Sequence, residues 1–279
     1  MSERNLHRPL IAGADAYDST MRAAFFDLDK TVIAKASVVA LGPQLHARGF
    51  IRRRTLARAV FAQVMFLWFG ADQNKMEKIR RDMLKVGKGW NRGEVRSLVQ
   101  ETLHDVIEPL IYREALELID YHRAQGDEVW IVSSSPIEIV EPFADIIGAN
   151  GAIASRAQVD DLDRYTGELE FFCQGPNKAT AIRELAAARG IDLAESSAYS
   201  DSETDVPMLE VVGHPYAVNP DRPLAKIAHD REWPTLVFDH PVRASSRRAP
   251  STPFIVGVGV VAVMAMLGRS RGRGRTPKV

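Results

Sequence analysis

The apolar positions of this chain fall into two patterns. In five places a short unbroken apolar run stops abruptly at acids or hydroxyls: "RAAFFDLD", "DEVWIVSSSP", "ESSAYSDSETD", "HPYAVNPD" and "WPTLVFD". Short continuous runs of this kind predict strands covered on both faces, as in parallel sheets. In the second run the strand is expected over 129–132, with the loop beginning at Ser133. Between the runs, 114–124, 136–147, 178–189 and 222–231 read as helices. Strands alternating with helices predict an α/β fold with a doubly wound, Rossmann-like parallel sheet. Ligands of such sheets bind beyond the carboxyl ends of the strands, where the polar residues of these runs fall.

Over 36–112 the alternation stops. The stretch reads as successive helices separated by Gly, Asp and Asn, an all-helical insert placed after the first strand. Its aromatic segment "FAQVMFLWF" reads as the inside of a helical bundle in preference to a ligand face. A smaller insert, "AQVDDLDRYTGELEFF", alternates polar and apolar positions and predicts a β-hairpin turning at Thr166–Gly167. The organisation expected is a polar arm at 1–20, a catalytic core at 21–35 and 113–239, and the helical insert at 36–112. A Pro/Ser/Arg linker follows at 240–253, then an apolar segment at 254–268 and a basic tail at 269–279.

Composition narrows the function. The 279 residues are enough for a large core with an insertion, and 36 basic residues balance 36 acidic ones. That balance argues against a general nucleic-acid binder. The single cysteine, Cys173, excludes an internal disulfide and fits a reducing compartment. With no base motif beside it, it reads as a packing residue. The N-terminal arm lacks the apolar stretch of a secretory signal. Near the other end, "FIVGVGVVAVMAMLG" is followed by Arg269, Arg271, Arg273, Arg275 and Lys278. Membrane association through this segment is expected, spanning or interfacial, since the basic residues resist translocation and attract anionic headgroups. A buried helix is the plainer alternative. The localisation expected is the cytoplasmic face of the cell membrane, otherwise the cytoplasm.

The strand ends bring together Asp27, Asp29 and Thr31, then Ser133, then Lys178 at a helix start, then Asp201 and Asp205. Singly, each is an ordinary turn or cap residue. Jointly, they place carboxylates, hydroxyls and an ammonium on one edge of one sheet. Acids gathered so closely repel unless a cation sits among them, and Mg²⁺ prefers carboxylate oxygens.

These residues resemble the four motifs of the haloacid dehalogenase superfamily. "DLDKT" is similar to its first motif, D-x-D-x-T, and "VWIVSSSP" to its second, an apolar strand ending in Ser. Lys178 in "GPNKATAIREL" is similar to its third, and "YSDSETD" to its fourth, a pair of acids four apart. The resemblance covers about 21–239, and the helical insert after the first motif resembles the cap of the phosphoserine-phosphatase-like branch. It implies a Mg²⁺-dependent phosphatase acting through an aspartyl phosphate. Asp27 would be the nucleophile and Asp29 the general acid and base. Mg²⁺ would be held by Asp27, the backbone carbonyl of Asp29 and Asp201. Ser133 and Lys178 would hold the phosphoryl oxygens, with Thr31 supporting the same loop. Asp205 would bind the metal through water or orient Lys178. Thr204 stands where relatives often carry Asn.

The substrate is a separate matter. Phosphoserine phosphatases carry a glutamate near the start of the cap, whereas this chain has "AKAS" at 34–37, with no acid. Phosphoserine is therefore expected to be a poor substrate, and a small or lipid-related phosphate monoester is preferred. Arg80, Arg81 and Lys85 of "KIRRDMLKVGK" are candidate contacts to an anionic part of it, against the plainer reading of a solvated helix face. The rival function class is a membrane-tethered regulatory or binding protein that kept the fold with little turnover.

Overall fold

The computed structural model describes residues 21–34, 37, 40, 41, 47, 49, 84 and 87–241. All lie in the first of two compact units, Met1–Arg243 and Ala244–Val279. The N-terminal arm, most of the linker, the apolar segment 254–268, the basic tail, "FAQVMFLWF" and Arg80, Arg81 and Lys85 lie outside the described residues. Among the described residues no helix is long and apolar enough to cross a membrane.

Among the described residues seven strands form one sheet: β1 (Ala23–Phe26), β2 (Glu128–Pro136), β3 (Gly151–Val159), β4 (Tyr165–Phe171), β5 (Ser197–Ser200), β6 (His214–Val218) and β7 (Thr235–Leu236). Their order is β4-β3-β2-β1-β5-β6-β7, parallel throughout except for β4. The helices with both ends among the described residues are α1 (Arg92–Val106), α2 (Arg113–Ala124), α3 (Ile137–Ile146), α4 (Pro176–Arg189), the short α5 (Val206–Leu209) and α6 (Arg222–Asp230). Asn91 caps α1, accepting a hydrogen bond from the Glu94 N–H at 3.0 Å.

β1 explains why its sequence is apolar without alternation. Ala24 and Phe26 point into one core with Ile119, Val140 and Phe143, contributed by α2 and α3. Ala23 and Phe25 point into a second core with Ile182 and Ala186 of α4 and Leu224 and Ala228 of α6. Successive side chains leave opposite faces of a strand, so a strand covered twice has no polar face to show. β1 has β2 on one flank and β5 on the other, so the chain leaves it in both directions. The crevice at the carboxyl end of β1 and β5 is thus the switch point of the sheet.

Three expectations need correction. β2 continues as extended chain through Ser133 to Pro136, beyond the expected stop at Val132, because Ser133 and then Pro136 still pair with β3, across a register shift. The hairpin turns at Asp160–Arg164 and not at Thr166–Gly167. The Asp160 carboxylate accepts the N–H groups of Leu162 and Arg164 at 3.0 and 2.9 Å, and Asp163 takes a positive φ of 58°. Gly167, at φ 88°, falls inside β4 where the register with β3 shifts, so its glycine signal marks a bulge. β7 is only two residues long. Beyond it the Asn219 side chain takes over the pairing, donating to the Phe238 carbonyl at 2.8 Å and accepting from the Phe238 N–H at 3.0 Å.

Candidate active site

The carboxyl end of β1 runs directly into a tight loop. The Asp27 N–H donates to the Tyr199 carbonyl at 2.9 Å, extending the β1–β5 ladder by one residue and fixing the Asp27 backbone. The chain then folds back, with Val32 and Ile33 both donating to the Leu28 carbonyl at 3.0 Å and Lys30 donating to the Ile33 carbonyl at 2.7 Å. Lys30 sits at φ 68°, the left-handed region that disfavours side chains other than glycine. This turn returns Asp29 toward the same edge as Asp27.

From the other core face, α4 delivers Lys178. Gly175 adopts φ 55° immediately before Pro176, and the Lys178 N–H donates to the Gly175 carbonyl at 3.1 Å. A glycine is needed at that φ, and a proline fits the first helical turn, where its missing N–H is no loss. The Lys178 side chain is 2% exposed, and its ammonium donates to Asp27 Oδ1 at 2.6 Å and Asp205 Oδ2 at 2.7 Å. Asp205 Oδ2 also accepts from the Ser200 hydroxyl at 2.7 Å.

Charge is out of balance here. Burial drives the Asp27 carboxyl well above the usual carboxylate range, with Lys178 opposing and Asp205, Asp201 and Asp29 adding to the rise. Burial also works against a charged Lys178, but Asp205 and Asp27 outweigh it and hold the ammonium protonated well above its ordinary value. One lysine thus serves several buried acids. Asp201 is poorly compensated: burial pushes its carboxyl up to about 7, Lys30 pulls it down, and Asp205 and Asp221 push it further up. Among the described residues the cation within ion-pair reach of it is Lys30, with Nζ at 3.9 Å, and no hydrogen bond from them reaches its carboxylate. Oxygen donors with surplus negative charge, 6% and 7% exposed at Asp27 and Asp201, suit a hard divalent cation such as Mg²⁺.

The remaining expected residues take varied places. Asp29 accepts from the Ser37 N–H at 2.6 Å through Oδ1 and from the Ser135 hydroxyl at 2.8 Å through Oδ2. Ser133 is buried on β2, beside β1, and its hydroxyl oxygen accepts from the Ser135 N–H at 3.1 Å. Thr31 is fully buried, and its hydroxyl has no hydrogen-bond partner among the described residues. Sequence reasoning missed Ser37, Ser135, Ser200 and the approach of Lys30 to Asp201. Only Ser135 carried a usable signal, since it stands two positions from Ser133 and so shares its face of the strand.

Two features lie apart from this cluster. Cys173 is buried, its N–H donates to the Ser155 hydroxyl at 3.0 Å, and burial raises its thiol to about 12. A thiol so hard to ionise is a packing group, as expected. A cavity of about 460 Å³ at the amino end of β6, lined by residues such as His214, Tyr216 and Trp233, contains none of the expected site residues. The chemistry gathers at the opposite, carboxyl edge.

Comparison with known proteins identifies the family. The family model for haloacid dehalogenase-like hydrolases matches residues 24–210. The "Inhibition of morphological differentiation protein" of Streptomyces azureus is 46% identical over 260 residues, 92% of this chain and 94% of that protein. A probable phosphatase of Mycobacterium tuberculosis is 47% identical over 245 residues, 88% of this chain and 85% of that protein. Among solved structures, a substrate-bound phosphoserine phosphatase shares the fold at a TM-score of 0.57 and 18% identity, over 77% of this chain and 92% of that one. With β1 ending in "DLDKT", Lys178 on α4 and Asp201 and Asp205 after β5, the chain belongs to the haloacid dehalogenase-like hydrolase family.

Proposed function

We propose that this protein hydrolyses a phosphate monoester of a small or lipid-related metabolite through an aspartyl phosphate on Asp27. The observation that carries the reading is the Lys178 ammonium wedged between Asp27 and Asp205 at 2.6 and 2.7 Å, on the edge that also holds Asp29. An Asp27 oxygen attacks phosphorus and the ester P–O bond breaks, leaving the phosphoryl group on Asp27. Asp29 gives a proton to the departing alkoxide. It then takes one from the water that attacks the acyl phosphate, releasing inorganic phosphate and restoring Asp27. Lys178 and Ser133 hold phosphoryl oxygens, so that positioned charge favours the transferring group. Asp27, Asp201 and the Asp29 carbonyl would hold Mg²⁺, with Asp205 orienting Lys178. When bound, the ion neutralises charge on the nucleophile and the phosphate.

The Asp27→Asn variant tests this reading. It should lose Mg²⁺-dependent hydrolysis of p-nitrophenyl phosphate, because an amide is a poor nucleophile and a poor metal ligand. Turnover above a few per cent of the parent would overturn the nucleophile assignment. A panel of phosphate esters then identifies the alcohol, and phosphoserine is expected to rank low, because "AKAS" offers no acid for its ammonium. Efficient, selective hydrolysis of phosphoserine would reverse that ranking.

A second reading, a regulatory or binding protein with little turnover, is favoured by the Streptomyces azureus relative, whose name describes inhibition of morphological differentiation. The same ester panel separates the two. Anchoring at a membrane through 254–268 also stays a proposal, supported by the sequence of that segment alone.

A further inference from the structure

Asp29 is the acid whose surroundings are most specific. Each of its carboxylate oxygens takes one donor, and the donors come from different parts of the chain. Oδ1 accepts from the Ser37 N–H at 2.6 Å, eight residues downstream. Oδ2 accepts from the Ser135 hydroxyl at 2.8 Å, 106 residues away on β2. The two hydroxyls also meet each other, Ser37 Oγ to Ser135 Oγ at 3.0 Å. A serine hydroxyl has one hydrogen. Ser135 gives its hydrogen to Asp29, so the hydrogen between the two serines must come from Ser37. Ser37 therefore grips the pair twice, by its N–H on Asp29 and by its O–H on Ser135. Both serines are buried, at 0% and 5% exposure. The Ser135 N–H is tied in turn to the Ser133 hydroxyl at 3.1 Å.

An aspartate on a loop can rotate about two side-chain bonds, and proton transfer tolerates little misplacement. Two donors anchored on separate segments remove both freedoms. We infer that Ser135 is a positioning residue for Asp29, and that the Ser37 hydroxyl, at the start of the segment proposed as the cap, holds Ser135 in that role. The inference rests on the general-acid reading of Asp29 given above. Its consequence is that proton delivery to the leaving group depends on where Ser37 sits, which links the base of the proposed cap to the chemistry.

The test compares a good and a poor leaving group, p-nitrophenyl phosphate and butyl phosphate, with saturating Mg²⁺. The readout is kcat/KM, which covers the steps up to alcohol release and not the later hydrolysis of the acyl phosphate that both esters share. On butyl phosphate the Ser135→Ala variant should lose about tenfold in it, the order expected for one lost positioning hydrogen bond. On the aryl ester it should lose little, because nitrophenolate departs without a proton. Ser37→Ala, which keeps its N–H on Asp29, should show the same selective loss at smaller size. It also supplies an independent variant should Ser135→Ala fold poorly. Ser135→Thr, which retains the hydroxyl, should keep the parent's leaving-group preference. In an Asp29→Asn background, Ser135→Ala should cost nothing further. A loss in kcat/KM equal on both esters, or equal in the parent and Asp29→Asn backgrounds, would overturn the inference and leave Ser135 a structural residue. Should Asp29→Asn itself lower kcat/KM equally on both esters, the general-acid reading is what fails, and that result is distinct from the other.

Discussion

Lys178 and Asp27 meet at 2.6 Å although 151 positions separate them, and the ammonium reaches a second carboxylate, Asp205, at 2.7 Å. The lysine is as much a structural brace as a proposed substrate contact. Removing it should leave two buried carboxylates facing each other without a counterion. The Lys178→Met variant is expected to lose about 3–5 kcal/mol of stability, the usual cost of breaking a buried pair from one side. Urea unfolding measures this. Adding Asp205→Asn to Lys178→Met should recover part of the loss, since one of the stranded charges is gone. Phosphatase activity should stay lost in both.

Asp201 is expected to link pH to the binding of Mg²⁺. Its carboxyl is held up at about 7, against an ordinary value of 3.8, chiefly by burial. A carboxyl raised in the folded state is a liability once it ionises. Metal-free protein should therefore lose stability as pH rises between those values and show its lowest plateau above about 7. Mg²⁺ supplies the missing positive charge, so the rise in melting temperature on adding it should be larger at pH 8 than at pH 6. Asp201→Asn should flatten both dependences. An equal Mg²⁺ shift at both pH values would show that Asp201 is not part of the ion's site.

The chain after β7 is clasped by Glu114 of α2. Its Oε1 accepts the N–H groups of Asp239 and His240 at 3.2 Å and the His240 ring Nδ1 at 2.7 Å. Burial alone would raise Glu114, but its own backbone N–H and these donors together outweigh it and hold the carboxyl down at about 2. Hydrogen bonding to Glu114, with the charge of Asp239, raises the His240 imidazole above its ordinary 6.5. The acid's contribution is present above about 4.5 and fades toward 2, while the histidine's is full below 6.5 and is lost as pH climbs through its raised value. The clasp is thus strongest between about 4.5 and 6.5. The melting-temperature gap between the parent and His240→Ala should be widest near pH 5.5 and close at alkaline pH.

The apolar segment 254–268 makes a prediction of its own. Full-length protein should pellet with membranes and resist high-salt extraction, because apolar insertion is not screened by salt. A variant ending after Arg243, the limit of the first compact unit, should stay in the supernatant and hydrolyse p-nitrophenyl phosphate at the parent rate. Full-length protein recovered wholly in the supernatant would remove the anchor.

Much of this site could be read along the chain because its parts are local. "AAFFDLD" announces a strand covered on both faces and the acids that end it, since double burial leaves no polar alternation and strand ends face the crevice. The family motifs place Asp27, Asp29, Lys178, Asp201 and Asp205 by their neighbours alone. Where the sequence misled, the cause was competition between local signals: Thr166–Gly167 looked like a turn, yet Asp160 makes the turn through its own carboxylate, and the glycine serves a bulge. What only the tertiary structure decided are the pairings made at a distance. No spacing rule connects Ser37 and Ser135 to the two oxygens of Asp29, or sets Lys30 near Asp201, because these contacts depend on how β1, β2 and β5 lie side by side. The identity of a chemical group is written in one residue, but its charge balance and aim belong to whatever the fold packs against it.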